Sequence, residues 1–167
     1  MATTKTVANP RVSKGHLETT DVYVKNGTSW NAGELLRENS SGLVEVCVTD
    51  ADAGAGGIQY LALSTQADPG NDTTEAQVGI LTTDTELEFN ELDGTVGIAN
   101  IGMQYGIDVS SNVATLDVGD TSNPAFVVTD IGWVREPMLN DSTDIKAIIY
   151  AKPLAAVIDA ARTTTSL

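Results

Sequence analysis

Short runs of alternating apolar and polar residues recur along most of the chain. DVYVK (21–25) alternates and leads into Asn26-Gly27, a dipeptide suited to a tight hairpin. AGELL (32–36) and GLVEVCV (42–48) flank a second turn at NSSG (39–42), and IQYLAL (58–63) supplies another run. Residues 66–76 (QADPGNDTTEA) are polar, contain Pro-Gly and read as a loop. The rhythm returns at 87–90, 95–98, 105–109, 114–118, 126–131 and 145–150. Strands at intervals of roughly 8 to 12 residues with Gly or Asn between them predict a sandwich or barrel rather than a parallel α/β sheet.

One segment has helical spacing. Leu154, Val157, Ile158 and Ala161 fall at i, i+3, i+4 and i+7, with Pro153 suited to the first turn. The first 18 residues show no apolar period and contain a Pro and a Gly. They read as an extended polar arm, ordered only when something binds it, so removing residues 1–17 is expected to leave the melting temperature nearly unchanged. The predicted fold is therefore mainly β. A compact sandwich or barrel-like domain spans 19–162, with an extended arm at 1–18, one short C-terminal helix, and a frayed end at 163–167.

Composition adds size and environment. At 167 residues, 41% of them hydrophobic, the chain suits one domain with a real core. The start, MATTKT, lacks the basic and apolar regions of a signal peptide, and no stretch approaches the roughly 20 apolar residues of a membrane helix. A single cysteine, Cys47, leaves no internal disulfide, and its neighbours Val46 and Val48 predict a packed thiol. The sequons at Asn26, Asn39, Asn71 and Asn140 read as turn chemistry.

Charge changes the picture most. Between Arg37 and Arg135 lie 97 residues without a Lys or Arg, holding 16 of the 23 acids. The first 17 residues carry three bases, Lys5, Arg11 and Lys14, and no acid. An acidic body is repelled by nucleic acid and anionic membrane. The basic arm, by contrast, is suited to reach a protein partner.

Candidate chemistry is sparse. Asp50 and Asp52 open a stretch like a calcium loop, but Gly54 stands at the third ligand position and Leu61 at the twelfth, where a closing Glu belongs. The stretch reads as a turn. His16 is the only histidine and sits in the arm, which leaves little material for a Ser-His-Asp triad. Glu86 and Glu88 share one strand face, as do many pairs among 23 acids. Trp30 and Trp133 read as core or interface residues, with sugar stacking as the alternative. No enzyme, cofactor or metal is signalled.

Three stretches carry a resemblance: VYVKNGTSWNAGELLRENSSGLVEV after a polar N-terminus, then YGIDVSSNVATLDVGD and PAFVVTDIGW. Over nearly its full length, through loosely spaced Gly, Asn and Val, the chain resembles the capsid decoration (cement) proteins of tailed bacteriophages. The resemblance implies a β-rich homotrimer on the outer face of a virion head, bridging major capsid protein subunits and stabilising the shell. The expected capsid contacts are then Lys5, Arg11 and Lys14. The chain is longer than the smallest such proteins, and the loop at 66–76 has no counterpart in them. Alternatives are another virion subunit, of tail tube or head fibre, or a carbohydrate-binding β-domain.

Overall fold

The computed structural model describes residues 9–47, 57–90, 96–110, 113–135 and 148–158; the Trp133 side chain lies outside this set. Eleven strands occur in the described residues: β1 (Arg11–Lys14), β2 (Thr19–Tyr23), β3 (Leu35–Glu38), β4 (Val44–Val46), β5 (Tyr60–Ala62), β6 (Glu75–Ile80), β7 (Glu86–Asn90), β8 (Gln104–Ser110), β9 (Val113–Asp117), β10 (Phe126–Ile131) and β11 (Ile148–Pro153). A 3₁₀ turn covers Ile98–Asn100, one helical turn (α1) covers Gly132–Arg135, and another covers 155–158. The strands form a six-stranded sheet, ordered β1-β7-β11-β10-β8-β9, and a five-stranded sheet, ordered β2-β6-β5-β3-β4. All ladder pairings are antiparallel. The chain is mainly β, as its periodicity predicts.

The sheets share one core. Leu35, Leu61 and Leu81 come from the five-stranded side, and Leu87, Phe89, Ile107, Leu116, Phe126, Ile131 and Ile149 from the other. Phe89 and Phe126 meet edge to face at 4.9 Å between ring centres, the arrangement favoured by aromatic quadrupoles. The five-stranded sheet is also covered on its second face. There Leu36, Val44, Val46, Ala62 and Val78 pack beneath Val24 and Trp30. Successive strand residues point to opposite faces, so Leu35 enters the main core and Leu36 the smaller one. The six-stranded sheet curls: Asn9, at the entry to β1, accepts a hydrogen bond from the Ala114 N–H on β9, at the far edge (3.4 Å).

Turn chemistry explains several connections. Asn39 Oδ1 accepts from the N–H groups of Ser41 and Leu43, closing the β3–β4 hairpin with Gly42 at φ 77°. Asn71 Oδ1 likewise accepts from Thr73 N and from the Thr73 and Thr74 hydroxyls. Asn26-Gly27 is a turn but not a hairpin, because β2 pairs with β6 instead of the next strand. The loop at 66–76 gives way to β6 at Glu75, and of the strand expected at 95–98 the described residues 96–98 form none, with Ile98 opening a 3₁₀ turn. Pro153 ends β11; the helical turn follows it, burying Val157 and Ile158 as the spacing predicts.

The N-terminal segment departs most from expectation. Residues 1–8 lie outside the described set, but residues 11–14 are not an unpaired arm: they form β1 against β7. Apolar periodicity misses this strand because only Val12 of its four residues packs against the core.

Cys47 is 1% exposed in the main core, as its flanking valines suggest. Cys47→Ala is expected to fold and to cost about 1 kcal/mol in urea unfolding. A variant that cannot fold would show a larger role for the thiol.

Candidate functional site

Candidate contacts begin at β1, the outermost strand of the six-stranded sheet. Asn9 precedes it and anchors its entry, donating through Nδ2 to the Ala32 carbonyl (3.4 Å) as well as accepting from Ala114. The approach is close enough that a Cβ on Gly33 would lie 2.7 Å from Asn9 Cβ, and Gly33 also has φ 88°. A side chain at 33 is therefore excluded twice over. Register places Arg11 opposite Glu88, Val12 opposite Leu87 and Lys14 opposite Glu86, with an irregularity between Val12 and Lys14. Arg11 donates through Nη2 (2.7 Å) and Nε (3.0 Å) to Glu88 Oε1. Of the expected contacts, then, Arg11 is exposed but engaged, Lys14 is exposed, and Lys5 lies outside the described residues.

Behind β1 sits a polar node. Glu86 is 3% exposed, and a buried carboxylate is costly unless its oxygens are satisfied. Arg135, the base that ends the 97-residue acidic run, reaches it from α1 with two hydrogen bonds: Nη1 to Oε1 at 2.7 Å and Nη2 to Oε2 at 3.2 Å. Ser13 of β1 donates to Oε1 (2.9 Å) and Thr129 of β10 to Oε2 (2.7 Å). Arg135 also donates through Nε to Asp130 (3.0 Å), and its guanidinium carbon lies 3.7 Å from the centre of the Tyr150 ring. Four elements, β1, β7, β10 and α1, meet at one carboxylate, and β11 joins them through the Tyr150 ring on Arg135.

Burial pushes the Glu86 carboxyl up, but hydrogen bonds from Arg135, Thr129 and Ser13, with the Arg135 charge, outweigh it and hold the group at about 2. An unfolded glutamate titrates near 4.5. The folded value is the lower one, so this stabilisation is present above pH 4.5 and is lost as pH falls from 4.5 toward 2. It amounts to about 3 kcal/mol at neutral pH. Glu34, 2% exposed, acts in the opposite sense: burial raises its carboxyl despite a hydrogen bond from Asn31. Comparing the protein with Glu86→Gln isolates the node. The variant is expected to lose the share of the acid dependence between pH 4.5 and 2 that Glu86 supplies; an unchanged pH profile would place that dependence elsewhere.

This geometry also bears on Glu86 and Glu88 as a pair. Each is held by its own arginine, and a general acid needs a raised value, the reverse of what Glu86 has.

Elsewhere, an open cavity of about 430 Å³ is lined by Lys25, Gly27, Thr28, Ser29, Arg37, Glu45 and Val46. Glu45 accepts from Lys25 and, at 2.9 Å, from Arg37 Nη2. Burial raises its carboxyl, and the two cations more than reverse that. Trp30 is 3% exposed in the smaller core, with its backbone paired to Gln66, so it is no stacking platform. His16 is exposed. Asp50 and Asp52 lie outside the described residues. Among the described residues no cluster of His, Cys, Asp or Glu is placed to hold a metal ion, and no helix is long and apolar enough to cross a membrane.

Sequence reasoning missed Ser13, Thr129, Asp130, Arg135 and Tyr150 as one unit, because they are scattered over more than 130 positions. One signal was available: a lone arginine closing a long acidic run needs a carboxylate partner. No family model matches the chain, and no curated protein matches it.

Proposed function

We propose that the protein is a structural virion component, a decoration protein that binds the outer face of a tailed-phage head and bridges major capsid protein subunits, acting as a homotrimer. The observation that supports this reading most is the placement of the basic N-terminal segment. It enters the body as the outermost strand of a sheet, with Arg11 and Lys14 exposed and the further base Lys5 upstream. A sheet-edge segment of this kind is suited to pair with an extended strand of a partner. Symmetry would present three such segments at high effective concentration. The acidic body leaves basic contact chemistry to the N-terminus.

The resemblance in residues 22–46, 105–120 and 124–133 supports the same assignment. A carbohydrate-binding role is less favoured because Trp30 is enclosed in the smaller core. A tail-tube or head-fibre subunit would share the polar, β-rich build. Mixing the purified protein with heads that lack accessory proteins, followed by sedimentation, separates these readings. Saturable binding to the head exterior is expected; incorporation only into tails would assign the protein there instead.

A further inference from the structure

The turn between β2 and β3 sets an asparagine before a glycine, with both residues exposed. At Asn26-Gly27 the glycine has φ 79°, and a Cβ built on it would meet nothing within 4 Å. The Asn26 side-chain amide makes no hydrogen bond to a described residue. Other asparagines are held. Asn31 donates to Glu34, Asn39 accepts from Ser41 and Leu43, Asn71 accepts from Thr73 and Thr74, and Asn100 bonds Gly97 and Tyr105. Asn123 precedes Pro124, which has no N–H. Asn26 differs from all of these: its carboxamide is unheld, and the next residue offers a backbone nitrogen that no side chain shields.

That nitrogen can close a ring on its neighbour. Once Gly27 N loses its proton to solvent hydroxide, it attacks Asn26 Cγ and expels the side-chain nitrogen as ammonia, leaving a succinimide. Water then opens the ring at either carbonyl, giving aspartate or isoaspartate. One water is consumed, one ammonia is released, and nothing is oxidised or reduced. The fold opposes the first step. Gly27 N donates to Asp68 Oδ1 at 2.9 Å, and Asn26 N donates to Asp72 Oδ1 at 2.7 Å. Asp68 also accepts from Gly70 N at 3.0 Å, and the Gly70 and Gly27 N–H groups hold its carboxyl below the usual range. It is therefore ionised at neutral pH, and an N–H bonded to a carboxylate keeps its proton and its place more firmly. We infer that Asn26 is a site of spontaneous conversion to aspartate and isoaspartate, with Asp68 setting the rate through the Gly27 N–H. Conversion puts a third carboxylate beside Asp68 and Asp72. The isoaspartyl link also lengthens the backbone and draws the Gly27 N–H away from Asp68. None of this depends on the decoration reading.

The test incubates the full chain at slightly alkaline pH and follows each asparagine by peptide mapping and mass spectrometry. Asn26 and Asn31 share the tryptic peptide 26–37, so fragment ions separate them. Asn26 is expected to convert first, and several-fold faster in Asp68→Ala than in the wild type. Asp68→Asn, which keeps a neutral acceptor, should fall between them. Urea-unfolded wild type gives the unprotected rate, expected to be the fastest. Melting curves are compared first; should Asp68→Ala melt lower, Asp68→Asn decides alone. An Asn26 that converts no faster than Asn31, Asn39 or Asn71 in the folded protein overturns the site. Equal Asn26 rates in the wild type and both variants, or in folded and urea-unfolded wild type, overturn the control by Asp68.

Discussion

Arg135→Ala is expected to destabilise the protein by about 3–5 kcal/mol, because it leaves the nearly buried Glu86 carboxylate without its cation. The side chain joins five elements, so its loss also removes the hydrogen bond to Asp130 and the stacking on Tyr150. Arg135→Lys should recover only part of the loss, since an ammonium cannot span both Glu86 oxygens and Asp130 while lying flat on a ring. Replacing Glu86 and Arg135 together by Leu and Met should cost less than the sum of the single changes, as no buried unpaired carboxylate then remains at position 86. Urea unfolding measures each. A cost below about 1 kcal/mol for Arg135→Ala would mean that the node is ornamental to stability.

The second large effect concerns the N-terminus. Removing residues 1–8 should leave the melting temperature nearly unchanged, whereas removing residues 1–14 should cost about 2–4 kcal/mol. The larger deletion strips β1 from β7, exposes apolar surface that Val12 covers, and takes away the Ser13 hydrogen bond to Glu86. At this size each kcal/mol moves the midpoint by roughly 2–4 °C. Both truncations should weaken head binding, the shorter one without a stability change that could explain it. Equal melting temperatures for the two truncations would show that β1 contributes nothing to the body. Retained binding by both would move docking away from the N-terminus.

These expectations differ from a purely sequential reading, in which all of residues 1–17 is dispensable for stability. Strands such as 58–63, 105–109 and 126–131 were legible because their short apolar runs enter the cores, and the Asn39 and Asn71 turns because a side-chain oxygen serves nearby N–H groups. β1 was not legible. Three of its four residues are polar, and its pairing is dictated by β7, more than 70 positions away. The Glu86 node was hidden for the same reason: each member is ordinary locally, and only the sheet order brings Ser13, Thr129 and Arg135 to one carboxylate. The 98–100 turn was hidden because VGI (96–98) has strand-like composition, while Asn100 closes the segment into a 3₁₀ turn.

The measurement that tests the account most directly is electron cryomicroscopy of heads assembled from the major capsid protein encoded in the same genome, with and without this protein added. The account predicts additional density on the outer face at positions where capsid subunits meet, with the N-terminal segment directed toward the shell. Undecorated heads at saturating protein, or density confined to tails, would contradict it.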